Sequence, residues 1–189
     1  MTMPNAIAII ANQEGLDNQA LLETAAAAFS ATGLRVVGLT ARDADPGEGC
    51  SAGFLHDIAS HDQFSIRLEA PPAGSVCSLD ASGMERACEA VLDRIPSADV
   101  VVLSKFGKLE TMQRGLWHAF KAAITAGTPL LTTVSAKHVA AWEAFAPNAT
   151  WIEADQRAID EWWRRFADRY ARRPSNLGAP DLDPPRNRG

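Results

Sequence analysis

The chain has 189 residues, of which 47% are hydrophobic and 22% are charged, and its formal net charge is -5. This length and composition predict one globular domain that needs neither a disulfide nor a structural metal, and the negative charge argues against a general nucleic-acid binder. No stretch approaches the roughly 18 consecutive apolar residues of a membrane span, so we expect a soluble protein with no membrane insertion.

The cysteine content and the N-terminus predict a cytoplasmic location. The three cysteines, Cys50, Cys77 and Cys88, form no dense framework. The short apolar run near the N-terminus has no basic region before it, so we expect no secretory leader.

The first half of the chain has the pattern of a βαβ unit followed by a hairpin. Apolar runs predict strands over 6–11 and 34–39, joined by a helix over 18–32 that ends at Gly33. Residues 41–53 are rich in Asp, Gly and Pro, which predicts a loop. Residues 54–58 and 64–68 then form a predicted hairpin through 60–62.

The second half alternates helices and strands. Asp80 or Ser82 caps a helix to about residue 95, and the clearest buried strand covers 99–103. The remaining predicted elements are a helix over 113–126 ended by Gly127, a strand over 129–134, a helix over 136–145 capped by Ser135, a strand over 149–152, and a helix from Asp155 to about residue 170.

Alternating strands and helices predict a three-layer α/β fold with a mostly parallel, doubly wound sheet. We expect one domain over 1–173 and a flexible tail over 174–189, which is rich in Pro, Asn and Gly. In such folds ligands bind outside the carboxyl ends of the strands, so the residues that follow each strand are the candidates for a site.

The loop after the first strand lacks the chemistry of a phosphate loop. The pattern G-x-x-x-x-G-K-[ST] supplies glycine amides, a lysine and a hydroxyl to phosphate and Mg²⁺. Residues 12–18 contain one glycine, no lysine and two carboxylates. This predicts an ordinary turn between a strand and a helix.

The loop after the strand at 99–103 is the strongest candidate site. A nucleoside triphosphatase would place carboxylates there to hold Mg²⁺, whereas this chain has Ser104 and Lys105. The polar and glycine residues of the segment are Ser104, Lys105, Gly107, Lys108, Glu110 and Arg114. Two interpretations stay open: the cations are solvated surface charges, or they converge on an anion with help from Ser104 and Gly107.

Two further groups are weaker candidates. Ser135 caps a predicted helix, and Lys137 with His138 lies on its first turn, where both could line the same crevice. The possible metal ligands Cys50, Cys77, His56 and His61 match no zinc spacing, although the two histidines are close in sequence. Cys88 is predicted to be a core residue.

The segment 100–129 resembles the P-loop nucleoside-triphosphatase family, whose corresponding stretch runs from a hydrophobic strand through an acidic pair and Ile-Gly-Lys-x-Glu to a helix. It also resembles, more closely, an uncharacterised bacterial family found with molybdate-transport or nitrogenase genes. The matching stretches are Lys105-Phe-Gly-Lys-Leu-Glu110, Arg114-Gly-Leu116, Ala126-Gly-Thr-Pro-Leu-Leu131, Ala141-Trp-Glu-Ala-Phe145 and Cys77-Ser-Leu-Asp80.

The resemblance implies a P-loop-like fold with a degenerate phosphate loop, in a bacterial cytoplasmic protein connected with molybdenum or nitrogenase metabolism. It implies no particular reaction, because the closer family has no established one. The acidic pair and the phosphate-loop lysine of the triphosphatase family are missing here, which argues against hydrolysis.

Three hypotheses follow. The first is a non-catalytic or weakly catalytic accessory or regulatory protein, whose ligand is a small oxyanion, either molybdate-like or the phosphate of a nucleotide, and which could be a homo-oligomer. The second is a divergent Mg²⁺-dependent nucleoside triphosphatase in which Glu110 holds the ion through water. The third is a thiol-based metal or redox sensor that uses Cys50 and Cys77.

Overall fold

The computed structural model describes residues 6–43, 52–68 and 79–171. The strands are β1 Ile7–Ile10, β2 Val36–Asp43, β3 Ala52–Asp57, β4 Gln63–Ser65, β5 Val100–Phe106, β6 Leu130–Val134 and β7 Thr150–Ile152. The helices are α1 Asn18–Ala31, α2 Ala81–Leu92, α3 Lys108–Thr111, α4 Trp117–Ala126, α5 Val139–Phe145 and α6 Gln156–Ala171.

The strands form one seven-stranded sheet in the order β4-β3-β2-β5-β6-β1-β7. The neighbouring strands in the part β2-β5-β6-β1-β7 are all parallel. At the other edge, β3 pairs antiparallel with β2 and forms an antiparallel hairpin with β4. The predicted mostly parallel sheet is therefore confirmed, and so is the hairpin.

Helices cover both faces of the sheet. The side chains of α1 and α6 pack on one face, with Ile10 and Val102 among the strand residues beneath them. The side chains of α2, α4 and α5 pack on the other face, over Val101 and Leu103. These two apolar clusters confirm the three-layer architecture, because residues of one strand alternate between them.

Helix ends follow the local chemistry of the sequence. The carboxylate of Asp17 accepts from the amides at the start of α1, and that of Asp80 does the same for α2. Asp155 Oδ1 accepts from Ala158 N at 2.7 Å at the start of α6, as predicted. Gly127 ends α4 with a φ of 67°, a conformation that glycine adopts at little cost.

Four sequence predictions need correction. The predicted loop over 41–53 is partly strand, because β2 runs to Asp43 and pairs with β3 from Ala52. The strand predicted over 99–103 continues to Phe106, so Ser104 and Lys105 lie within β5. In both cases the strand is longer than predicted because its backbone forms hydrogen bonds with a neighbouring strand, which local composition does not indicate.

The other two corrections concern helix starts. The helix predicted from residue 113 starts at Trp117, because Gln113 and Gly115 have left-handed φ values of 58° and 62°. The helix predicted over 136–145 is a 3₁₀ turn followed by α5, and the side chain of Ser135 makes no capping hydrogen bond.

The tail over 174–189 lies outside the described residues, as do Cys50 and Cys77. Within the described ranges, no helix has both the length and the apolar character needed to cross a membrane.

Candidate anion-binding site

The carboxyl ends of β1 and β6 lie side by side where the chain changes direction. The chain leaves β1 through α1 on one face of the sheet and leaves β6 through α5 on the other. Loops that part in this way open a crevice at the edge of a sheet. Asn12 Nδ2 donates to the carbonyl of Val134 at 2.6 Å, so a side chain bridges the two strand ends.

The loop between β1 and α1 has no free cradle for a phosphate at the helix start. Asp17 Oδ1 accepts from Gln19 N at 2.8 Å and from Ala20 N at 3.2 Å. These amides belong to the helix N-terminus that would attract an anion, but a carboxylate of the chain itself occupies them. This agrees with the ordinary turn between a strand and a helix that the sequence predicts here.

A β-bulge interrupts β5 at Ser104. Leu103 pairs with Thr132 but Phe106 pairs with Val134, so β5 carries one residue more than β6 between these pairs. The carbonyl of Ser104 leaves the ladder and accepts from Thr133 Oγ1 at 3.0 Å and from Gln19 Nε2 at 3.1 Å. Ser104 is buried, and its described contacts are internal.

Gln19 is a residue of this edge that the sequence analysis missed. Besides donating to Ser104, its side chain accepts from Ala41 N at 3.0 Å and so connects α1 to both β5 and β2. Its only sequence signal is its position in the first turn of a helix that follows a strand.

Three lysines predicted as anion ligands are exposed near the ends of β5 and β6. Lys105, Lys108 and Lys137 are all exposed, and none of the salt bridges in the described part of the chain includes them. Ser135 N donates to the carbonyl of Phe106 at 3.0 Å, so the loops after the two strands start side by side. Ser135 itself is half-buried.

Glu110 points inward rather than toward solvent. Glu110 is only 3% exposed to solvent. One of its carboxylate oxygens accepts a hydrogen bond from Gly107 N and the other accepts one from Leu116 N, each at 2.9 Å. Burial raises the pKa of Glu110, while the backbone hydrogen bonds and the charge of Lys105 offset part of that rise.

Arg114 forms an ion pair with α2. Its Nε donates to Glu85 Oε1 at 2.8 Å and its Nη2 to Glu85 Oε2 at 3.4 Å. The same hydrogen bond raises the pKa of Arg114 and lowers that of Glu85. The cationic group of Arg114 is therefore committed to a partner on the protein and is a weaker candidate for an anion ligand than the three lysines.

The candidate metal ligands are only partly described. The rings of His56 and His61 lie 5.7 Å apart in the hairpin, and burial, helped by the charge of Arg42, lowers the pKa of His56. No group of three or more potential metal-ligating side chains occurs among residues 6–43, 52–68 and 79–171. Burial raises the pKa of the Cys88 thiol to about 11, as expected for a core cysteine.

A cavity of about 380 Å³ lies elsewhere, between β7 and α6. Trp151, Glu153, Glu161 and Trp162 are among its lining residues, and none of the lining residues comes from the loops after β5 or β6. The lysines are therefore on open surface rather than in this cavity.

Comparison with a solved structure defines the fold class. The chain is similar to the solution structure of a human cancer-related nucleoside triphosphatase with a TM-score of 0.55, over 90% of this chain and 100% of that one. Sequence identity is 14%, so this likeness concerns the fold alone, an α/β architecture with a mostly parallel sheet.

Sequence comparison places the chain in a family. Residues 7–162 match the family described as DUF2478, protein of unknown function, and the chain belongs to that family. It is also 33% identical over 172 residues to the molybdenum import ATP-binding protein ModC 2 of Bradyrhizobium diazoefficiens. The match covers 89% of this chain but only 19% of that relative. The resemblance to P-loop-type proteins seen in the sequence is thus confirmed.

Proposed function

We propose that this protein is a non-catalytic or weakly catalytic accessory protein that binds a small oxyanion, or the phosphate of a nucleotide, at the carboxyl ends of β5 and β6. The observation that carries this proposal is the set of exposed lysines, Lys105 near the end of β5 and Lys108 and Lys137 just after β5 and β6, none of which has a described salt bridge. The hydroxyl of Ser135, which caps no helix, is the polar group we assign to the same ligand.

The expected affinity is modest. A unit charge about 4 Å from an opposite charge gains about 1 kcal/mol in water, and several-fold more where protein lowers the local dielectric. For a dianion we therefore expect a dissociation constant of about 1 mM to 10 mM. Such an affinity suits a sensor of anion supply better than a tight carrier.

Hydrolysis of a nucleoside triphosphate is poorly supported by the residues present. Ser104 and Lys105, within the last residues of β5, stand where carboxylates would hold Mg²⁺, and the buried carboxylate of Glu110 already accepts two backbone hydrogen bonds. The phosphate-binding amides of α1 are held by Asp17. These features favour binding over catalysis.

The relative gives a reason to test molybdate first. Its name concerns molybdenum import, and 89% of this chain is alignable with it at 33% identity. Because this chain spans about a fifth of that protein, the link to molybdenum rests on that one region. We propose a molybdate-like oxyanion as the first ligand class and a nucleotide phosphate as the second.

Isothermal titration of the full chain with molybdate, tungstate, phosphate and ATP tests the proposal. We expect saturable binding of at least one anion at concentrations of about 10 mM or less, reduced at least tenfold in the double variant Lys105→Ala, Lys108→Ala. The control is Lys121→Ala, because Lys121 is an exposed lysine on α4 that lies over the Trp117 ring. Absence of binding to all four anions, or equal losses in both variants, would refute the proposed site.

A further inference from the structure

One buried carboxylate holds the whole segment between β5 and α4. Glu110 Oε2 accepts from Gly107 N, the N-cap amide of α3, which is the one capping-box hydrogen bond that a glycine N-cap permits. Glu110 Oε1 accepts from Leu116 N, the residue that precedes the first turn of α4. Leu116 provides no side-chain cap of its own, so Glu110 serves the beginnings of two helices.

The backbone closes tightly around this carboxylate. A Cβ at Gly115, where φ is 62°, would lie 2.5 Å from Glu110 Oε1. Only a residue without a side chain leaves room there, and glycine also tolerates that φ at little cost. A buried carboxylate without partners would be very unfavourable, so the two amides and the positive end of α4 account for its place in the core.

The carboxylate also fixes the turn that carries the proposed anion ligands. Gly107, whose amide Glu110 holds, stands two residues after Lys105 and one before Lys108. The position of Lys108 relative to Lys105 therefore depends on the backbone geometry at Gly107. On the outer side, the Arg114–Glu85 ion pair ties the same segment to α2.

We propose that Glu110 is a positioning residue, an internal anion that preorganises the turn from Lys105 to Lys108 for an external anion; this inference rests on the proposed function. Glu110 does not contact the ligand. Preorganisation raises affinity because the ligand need not order the turn when it binds.

The direction in which anion affinity changes when Glu110 is neutralised distinguishes a positioning role from simple electrostatic repulsion. A negative charge close to an anion site repels the anion, so electrostatics alone predicts that neutralising Glu110 tightens anion binding. Positioning predicts the opposite. Glutamine keeps one carbonyl acceptor and presents an amide group to the second backbone N–H, whereas alanine removes both acceptors.

The test uses the full chain and titrates Glu110→Gln and Glu110→Ala with the tightest anion found for the wild type, with Lys121→Ala as the control. We expect affinity to fall about tenfold in Glu110→Gln, the scale of one hydrogen bond to a charged group, and further in Glu110→Ala. Amide hydrogen exchange at Gly107 and Leu116 in Glu110→Gln, without any ligand, should be faster than in the wild type.

The outcomes distinguish the two proposals. If the wild type binds none of the anions, the proposed function and this inference both fail. If the wild type binds but Glu110→Gln binds equally well or more tightly, the positioning role fails and the proposed function stands. Unchanged exchange at both amides would also overturn the positioning role. Should Glu110→Ala not fold, Glu110→Gln still decides the question.

Discussion

At the scale of single residues, two features place tight limits on substitution. Gly38 in β2 lies against the backbone of β5, and a Cβ there would lie 1.8 Å from the carbonyl oxygen of Val102. Asp57, at the end of β3, is a buried carboxylate that accepts from both Nη atoms of Arg94. The first limit is steric and the second is electrostatic.

Gly38→Ala should destabilise the protein by about 3 kcal/mol or more, because the collision is with backbone that belongs to a central strand. Gly33→Ala is the matched control. Gly33 also has a positive φ, of 85°, but nothing lies within 4 Å of the position that a methyl group would take there, so its cost should be about 1 kcal/mol from backbone strain alone. Urea unfolding measures both, and equal losses would contradict the steric explanation.

Arg94→Ala should cost about 3 kcal/mol near neutral pH, because it leaves the Asp57 carboxylate buried without its cation. Burial alone would raise the pKa of Asp57, but the hydrogen bonds from Arg94 and from the amides of Ala59 and Ser60 outweigh it and lower the pKa. Stability from a lowered acid pKa is present above the unfolded value of 3.8 and is lost as pH falls through the folded one.

The difference between wild type and Arg94→Ala should therefore shrink as the pH falls and Asp57 takes up a proton in the folded proteins, as urea unfolding at several pH values would reveal. The control is Arg86→Ala, which removes an exposed ion pair with Asp80 at 3.8 Å and should cost less than about 1 kcal/mol. A pH-independent difference would show that Arg94 acts through packing rather than through Asp57.

At the scale of secondary structure, the bulge in β5 depends on a side chain from a different element. Gln19→Ala removes one of two donors from the Ser104 carbonyl and the acceptor of Ala41 N, so it should destabilise the protein by about 2 kcal/mol. Gln13→Ala, at an exposed position of the preceding loop, should change stability by no more than about 0.5 kcal/mol. Thermal or urea unfolding tests this, and equal values for the two variants would contradict it.

The elements themselves were largely predictable because their signals are local. Apolar runs marked β1, β5 and β6, and Asp17, Asp80 and Asp155 stand where helices begin. The errors fell where distant partners decide the backbone. β2 extends to Asp43 through its pairing with β3, and the start of α4 is set by a turn that closes around a buried side chain.

At the scale of the whole molecule, the candidate site could be predicted from the sequence only in outline. Parallel strands bring their carboxyl ends to one edge, so the sequence alone placed Lys105, Lys108 and Lys137 there. It did not predict that Glu110 turns inward, since glutamate is rarely buried, or that Arg114 pairs with Glu85. The burial of one side chain and the ion pair of another depend on tertiary contacts, which the spacing of residues in the sequence does not predict.

We expect the protein to bind its anion without hydrolysing ATP. We expect no Mg²⁺-dependent phosphate release from ATP above the buffer rate, because Ser104 and Lys105 stand where carboxylates would hold the ion. A phosphate-release assay with Glu110→Gln as a parallel sample measures this. Release by the wild type that disappears in the variant would instead support the triphosphatase hypothesis.

The hydrogen bonds at the carboxyl edge of the sheet join residues that are either close together or far apart in the sequence, and this difference has consequences for how the chain folds. Glu110 joins Gly107 and Leu116, which are three and six residues away, whereas Gln19 reaches Ser104 across 85 residues and Asn12 reaches Val134 across 122. Short loops close early and long ones late, because closure entropy grows with chain separation. We therefore expect the turn around Glu110 to form early in folding, and the hydrogen bonds that join Gln19 to Ser104 and Asn12 to Val134 to form only once the sheet has assembled.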